Sequence, residues 1–304
     1  MLPGIEEAET ENLSENSIQA NLKGEQTEKS KCTFMKNSLF LAAIAIVLIV
    51  AACSQSKYAA TNKSYKKQVK AFAKVLKEYP LKDSSGLQFA DSWVGTTNMS
   101  LRRPNFVVIH HTAQNSCEQT LKTFIQTKNP VSSHYVICKD GTVHHMLNDL
   151  LRGHHAGVSK WGNNTDLNSS SVGIEIDNNG YEVFTEEQIN SLIMLLGRLK
   201  TAYNIPAANF IGHADIAPGR KVDPNRNFPW QKLAQGGFGL WYDTTNVKVP
   251  ENFNAMQALR IIGYDLKNEK NAVQSFKIHF VPQDTTKTIS ESDKKILFNL
   301  SGKY

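Results

Sequence analysis

Gly212-His213-Ala214-Asp215-Ile216-Ala217-Pro218-Gly219-Arg220-Lys221-Val222-Asp223-Pro224 is the stretch around which the chain is organised. Its density of glycine, proline and charge marks an ordered loop. An imidazole and a carboxylate, His213 and Asp223, stand ten positions apart, with Lys221 two positions before the carboxylate. A rigid loop of that length folds back so that both ends face one point. The donor types make a zinc ion the candidate for that point. A third ligand, a catalytic base and a substrate must then come from the rest of the chain.

Outward from the loop, Phe210-Ile211 leads into it. Further upstream, Thr185-Glu186-Glu187-Gln188 is a capping box. It opens a helix with Ile189, Leu192, Ile193, Leu196, Leu199 and Tyr203 at helical spacing, and Pro206 closes the segment. Residues 171–176 form an apolar strand with one carboxylate, Glu175, embedded in it. Residues 105–110, after Pro104, are a continuous apolar run of the kind that forms a fully buried strand, and His110 lies at its end. Residues 133–138 and 142–146 read as two strands joined by a Lys139-Asp140-Gly141 turn, an Asp-Gly hairpin signal. A helix is expected over residues 118–127. Residues 152–170 are rich in Gly, His, Asn and Ser, a surface loop able to carry function. This alternation predicts an α/β (α+β) fold, a mixed central β-sheet flanked by helices. Beyond a polar linker at 244–250, three helical patterns predict a small C-terminal three-helix module over 251–304. No internal repeat is present.

The chain has 304 residues with a formal charge of +6, from 34 basic and 28 acidic side chains. Residues 1–34 hold three lysines against seven glutamates, and residues 53–304 carry about +9 by the same count. A basic surface suits an anionic partner such as a cell wall or a phospholipid surface, and equally serves solubility. Neither an RNA-binding signature nor a basic-aromatic stripe is present, so nucleic acid is not an expected partner.

Leu39 to Ala52 is an uncharged run of 14 residues, preceded by Met35-Lys36. A bilayer-spanning helix needs about 20, whereas a signal-peptide apolar region has this length. The run ends in Val50-Ala51-Ala52-Cys53, which resembles the bacterial lipobox, where the cysteine is lipidated and becomes the mature N-terminus. The resulting division is a possible mis-assigned extension at 1–34, a lipoprotein signal peptide at 35–52, and a tether with a short amphipathic helix at 53–80. A catalytic domain at 81–243 and the helical module at 251–304 complete it. Ser54 after the cysteine implies, by resemblance to lipoproteins of two-membrane bacteria, an outer-membrane anchor facing the periplasm. Cys117 and Cys138 are suited to one disulfide in an oxidising compartment, but two thiols without geometry leave that open. The absence of any CxxC pair excludes a structural zinc finger.

A mononuclear catalytic zinc has three protein ligands and one open position. The candidates are His110, His213 and Asp223, with Glu175 as base. Each has a plainer reading. His110 beside His111 is equally a polar strand cap, Asp223 before Pro224 is a common turn residue, and Lys221 is equally a solvated side chain. Glu175 lies opposite Ile174 and Ile176 by alternation and so faces either solvent or a site.

Val108-Ile109-His110-His111-Thr112, Ser133-His134-Tyr135-Val136-Ile137, Asp140-Gly141, His155-Ala156-Gly157, Val172-Gly173-Ile174-Glu175 and the 212–224 stretch occur in the order and spacing of a known family. Over roughly residues 100–240 the chain resembles the zinc-dependent N-acetylmuramoyl-L-alanine amidases, whose fold is shared with peptidoglycan-recognition proteins. Residues 254–304 resemble the C-terminal peptidoglycan-binding-like module of the lipoprotein members. The resemblance implies one Zn2+ per chain on His110, His213 and Asp223, Glu175 as base, and Lys221 stabilising an oxyanion. It also implies that His134 and His155 line a substrate cleft. The partners it implies are peptidoglycan or muropeptides, and a membrane through a lipid on Cys53, for a monomeric enzyme. The competing expectation is a non-catalytic wall-binding lipoprotein of the same fold. Relatives that only bind have lost a ligand, whereas every ligand position is kept here. A zinc peptidase on ordinary peptides is disfavoured because no HExxH helix is present.

Overall fold

The computed structural model describes residues 57–77, 94–128 and 130–304. The signal-peptide segment, Cys53 and the extension at 1–34 lie outside these residues. Two units are distinguished, one up to Val94 and one from Gly95 to Tyr304. In the first, α1 (Ala59–Val75) is a helix with none of its residues buried. Ala59-Ala60 and the lysines that follow are good helix formers, so the helix occupies most of the expected tether.

The second unit is built on a five-stranded sheet of order β3-β2-β4-β1-β5. Its strands are β1 (Phe106–His111), β2 (Tyr135–Ile137), β3 (Val143–His145), β4 (Ser171–Ile176) and β5 (Phe210–Gly212). β1 runs parallel to β4 and β5, and β2 runs parallel to β4. Only β3 is antiparallel, returning from β2 across the Asp140-Gly141 turn. Gly141 sits at φ +80°, and a Cβ there would stand 2.9 Å from the Glu187 carbonyl oxygen. The turn therefore requires glycine sterically as well as conformationally. The sheet is mixed and flanked by helices, as the sequence predicts, and β5 is a short additional strand at its edge.

Alternation along the strands sends side chains to two covered faces. Val107 and Ile109 of β1 and Val172, Ile174 and Ile176 of β4 face α4 (Glu186–Tyr203), which buries Ile189, Leu192, Leu196 and Leu199 against them. Thr185 and Gln188 form both halves of the predicted capping box. Asn204, at φ 51°, ends the helix in the left-handed conformation.

The opposite face carries Val108 and Ile211, together with His110 and Glu175 at the strand ends. It is covered by α7 (Ala255–Ile262), α8 (Glu269–Phe280) and α9 (Glu291–Ser301). Leu259, Phe276, Leu297 and Leu300 share one buried cluster with Val108, Ile211, Ile216 and Trp161. The C-terminal helices thus share their core with the sheet. Within them Lys277, fully buried, ion-pairs with Asp284 and Asp293. Short helices α2 (Cys117–Phe124), α3 (Leu167–Ser170), α5 (His213–Ile216) and α6 (Trp230–Gln235) lie between the strands and in the 212–235 region. Cys117 at the start of α2 is joined to Cys138 by a disulfide with a Cα–Cα separation of 5.2 Å.

Candidate metal centre and active site

Parallel pairing assembles the site. β1 and β4 are in register with His110 opposite Glu175, and β1 and β5 with Ile109 opposite Gly212. His110 on β1 and His213, the first residue after β5, therefore emerge at the same edge of the sheet. The loop then folds back as its composition predicts. Arg220 and Lys221 both donate backbone N–H groups to the Ala217 carbonyl, and the Ala214 N–H donates to the Asp223 carbonyl at 2.7 Å. That last bond brings the two ends of the stretch together.

The outcome is a triangle of donor atoms. His110 Nδ1 lies 2.9 Å from His213 Nδ1, and each lies 3.0 Å from Asp223 Oδ2. All three side chains are buried. Among the described residues, only this group and the cluster of Cys117, Cys138 and His144 have metal-ligand atoms so close. The disulfide removes the latter's thiols from ligation. Three ligands of one tetrahedral zinc, each bonded at about 2.0–2.1 Å, stand about 3.3 Å apart. The triangle fits that spacing, and two imidazoles with one carboxylate are a donor set zinc accepts.

The protonation states fit as well. Burial, reinforced by the neighbouring His213, lowers the His110 imidazole to about 4, so it is neutral at pH 7. Burial pushes the Asp223 carboxyl up, but hydrogen bonds to His110 and His213 outweigh it and hold the group well below its ordinary range. A metal site needs this neutral imidazole and this ionised carboxylate.

The outer nitrogens are also fixed. His213 Nε2 lies 3.1 Å from the Ala156 carbonyl oxygen, and His110 Nε2 lies 3.2 Å from His155 Nδ1. His155 Nε2 in turn reaches the Ser171 hydroxyl at 3.3 Å. With Nε2–H donating on both triangle histidines, each keeps an Nδ1 lone pair turned to the triangle. One dipeptide, His155-Ala156, thus supports both imidazoles. Its two backbone N–H groups donate to Asn168 Oδ1 at 3.0 and 2.9 Å. Arg220 donates to the Ala156 carbonyl at 2.8 Å from the other side.

His155 and His134, the expected cleft residues, are both buried, and their ring nitrogens are engaged within the protein. His134 Nδ1 accepts the Gly173 N–H at 3.1 Å, and its Nε2 lies 3.0 Å from the Leu151 carbonyl oxygen. Burial lowers both imidazoles, His134 to about 4 and His155 well below the usual value. For His155 the cause is local: a Cβ on Gly173 would collide with its ring. The missing side chain makes the space that His155 fills beneath the ligand. Ala156, Asn168 and Arg220 were missed as site residues. Arg220 lies within the opening stretch, while Ala156 acts through its backbone and has no side-chain signal.

Glu175 is half-buried beside the triangle, and its Oε2 has no hydrogen-bond partner. Burial and then the Asp223 charge raise the carboxyl to about 8, against an opposing pull from Lys221. A proton-exchanging group poised near neutrality is the requirement for general acid–base catalysis. Lys221 is half-buried on the same loop, and its positive charge acts on both Glu175 and His110.

Comparison with known proteins places the chain in a lineage. The family described as N-acetylmuramoyl-L-alanine amidase matches residues 100–226. N-acetylmuramoyl-L-alanine amidase AmiD of Escherichia coli K12 is 32% identical over 212 residues, covering 59% of this chain and 76% of that protein. The structure of Escherichia coli AmiD with the substrate anhydro-N-acetylmuramic acid-L-Ala-D-gamma-Glu-L-Lys superposes with a TM-score of 0.60. It is 29% identical and covers 73% of this chain and 97% of that one. AmpDH3 of Pseudomonas aeruginosa, in complex with anhydromuramic pentapeptide, gives a TM-score of 0.61 at 27% identity, covering 72% of this chain and 99% of the other. With the sheet and the 212–224 loop inside the matched residues 100–226, and a relative 32% identical covered over 76% of its length, the chain belongs to the N-acetylmuramoyl-L-alanine amidase family.

Proposed function

We propose that the chain is a zinc-dependent amidase that hydrolyses the bond between N-acetylmuramic acid and L-alanine in peptidoglycan or its turnover fragments. The observation that carries this reading is the buried His110–His213–Asp223 triangle with the unpartnered Glu175 carboxyl beside it. His110 and His213 would hold the ion through Nδ1 and Asp223 through Oδ2. When bound, zinc supplies Lewis acidity, polarising a carbonyl oxygen and acidifying a water molecule.

The chain's own groups do the rest. Glu175, as a carboxylate, takes a proton from the attacking water as the new C–O bond forms. It returns that proton to the L-alanine nitrogen as the C–N bond breaks, leaving a lactyl carboxylic acid and a free peptide amine. With Asp223 engaged in holding a cation, its charge would raise Glu175 less, favouring the carboxylate form the first step needs. The Lys221 ammonium stabilises negative charge on the carbonyl oxygen. His155 and Ala156 keep the two imidazoles oriented.

The bound molecules of the two structural neighbours, both anhydromuramyl peptides, support turnover fragments as the substrate class. The lipobox supports an anchor at Cys53 and a position on the outer membrane facing the periplasm. Mass spectrometry of products from purified muropeptides, with and without a chelator, tests the reading. Free stem peptides are expected only without chelator. Stoichiometric zinc without amide cleavage would leave a wall-binding lipoprotein instead.

A further inference from the structure

Asp215 belongs to the 212–224 loop, yet its carboxylate makes no hydrogen bond to the triangle. Its carboxylate is buried at 1% exposure and accepts three hydrogen bonds. The Gly212 N–H donates to Oδ2 at 2.7 Å, within the loop. The other two donors come from the C-terminal helical region: Tyr264 Oη–H to Oδ1 at 2.8 Å and His279 Nδ1–H to Oδ2 at 2.8 Å. Trp230 stacks on the His279 ring, with centroids 3.9 Å apart and planes at 15°. Tyr264 and His279 are themselves buried.

Two of the three triangle residues hang on this point. His213 opens α5, the single turn that contains Asp215. The bond to the Gly212 N–H fixes how that turn leaves β5. The next residue, Ala214, holds the Asp223 backbone at 2.7 Å. A shift of the turn therefore moves His213 directly and Asp223 through Ala214. One turn of helix has no cooperative stability of its own, so its position is set by what grips it.

We propose that Tyr264 and His279 are positioning residues for the metal centre, acting through Asp215, and that the C-terminal helical region thereby sets zinc affinity. The proposal rests on the reading of the triangle as a zinc site. It gives residues 251–304 a role at the hydrolytic centre that is separate from any contact with the wall.

The test is zinc affinity of the full chain, measured by competition with a chromophoric chelator. Tyr264→Phe removes one hydroxyl, and His279→Leu removes the second donor. Each is expected to raise the zinc dissociation constant about 10-fold or more, the range for losing a metal site's outer support. His279→Asn, whose amide nitrogen occupies the place of Nδ1, is expected to restore most of the affinity. Leu300→Ala, a core truncation in the same helices, controls for lost stability and is expected to bind zinc as the wild type does. Variants that bind zinc as tightly as Leu300→Ala overturn the proposal. So does failure of His279→Asn to recover affinity while His279→Leu is weakened. A wild-type chain that binds no zinc overturns the zinc reading itself, which the variants alone do not touch.

Discussion

Glu175→Gln separates chemistry from stability in one substitution. The glutamine keeps the shape of the protonated carboxyl but does not ionise. In the folded, metal-free protein the carboxyl is raised from 4.5 to about 8, first by burial and then by Asp223. At about 1.4 kcal/mol per pH unit, that is about 5 kcal/mol of folded-state preference for the protonated form. Because the folded value lies above the unfolded one, the folded chain holds a proton that the unfolded chain has released between pH 4.5 and about 8. Stability from this group is therefore complete below pH 4.5 and declines as pH rises through about 8. Glutamine lacks that decline. Urea unfolding of metal-free wild type and variant at several pH values should show the variant gaining with pH, by about 3 kcal/mol at pH 7. Taking the difference cancels the histidines, which shift stability in the opposite direction. With zinc bound, kcat should fall by about 10²–10⁴ while metal content is unchanged. A stability difference that does not vary with pH would refute the assigned environment, and unchanged kcat would remove Glu175 from the proton transfers.

Four further outcomes are expected. Asp223→Ala deletes one vertex of the triangle and should abolish stoichiometric zinc binding, read by metal analysis after dialysis; retained metal would move the site elsewhere. Replacing Cys117 and Cys138 together by serine opens a crosslink spanning 21 positions, and should lower stability by about 3 kcal/mol in denaturant titration. Lys277→Ala strands the fully buried Asp293 and should cost about 3–5 kcal/mol; a near-neutral change would show that the pair is not desolvated. Cys53→Ser should release the protein from the membrane fraction, and a variant that still pellets with membranes would sink the anchor.

Elements with complete local signals were legible in the sequence. β4 has its expected bounds because an apolar run, broken only by Glu175, must be covered on both faces, and α4 starts at its capping box. β5 was not legible as a strand: three residues carry no period, and only pairing with β1 defines them. The ligand candidates were legible because strand-end histidines and a returning loop are local features. Their convergence was not, since it needs the parallel register of β1 with β5 and the return of the loop onto Ala214. The cleft role of His134 and His155 came from the resemblance; their burial was not legible, since a histidine in the polar loop at 155 reads the same whether it faces solvent or fills the space left by Gly173. The helices of 251–304 were visible by period, but no local pattern shows that one of their jobs is to cover Val108 and Ile211.

The parallel pairing of β1 also governs the order of events during folding. β1 ends at residue 111, while its neighbours begin at residues 171 and 210. Neither partner is reached by a tight turn, so each pairing closes a long chain loop before any contact rewards it. A metal ion cannot nucleate such a fold in the way it nucleates a finger whose ligands lie within one short hairpin. His110 meets His213 only after the β1–β5 pairing exists. An ion held by the proposed triangle would therefore be taken up late in folding, by a sheet already assembled without it.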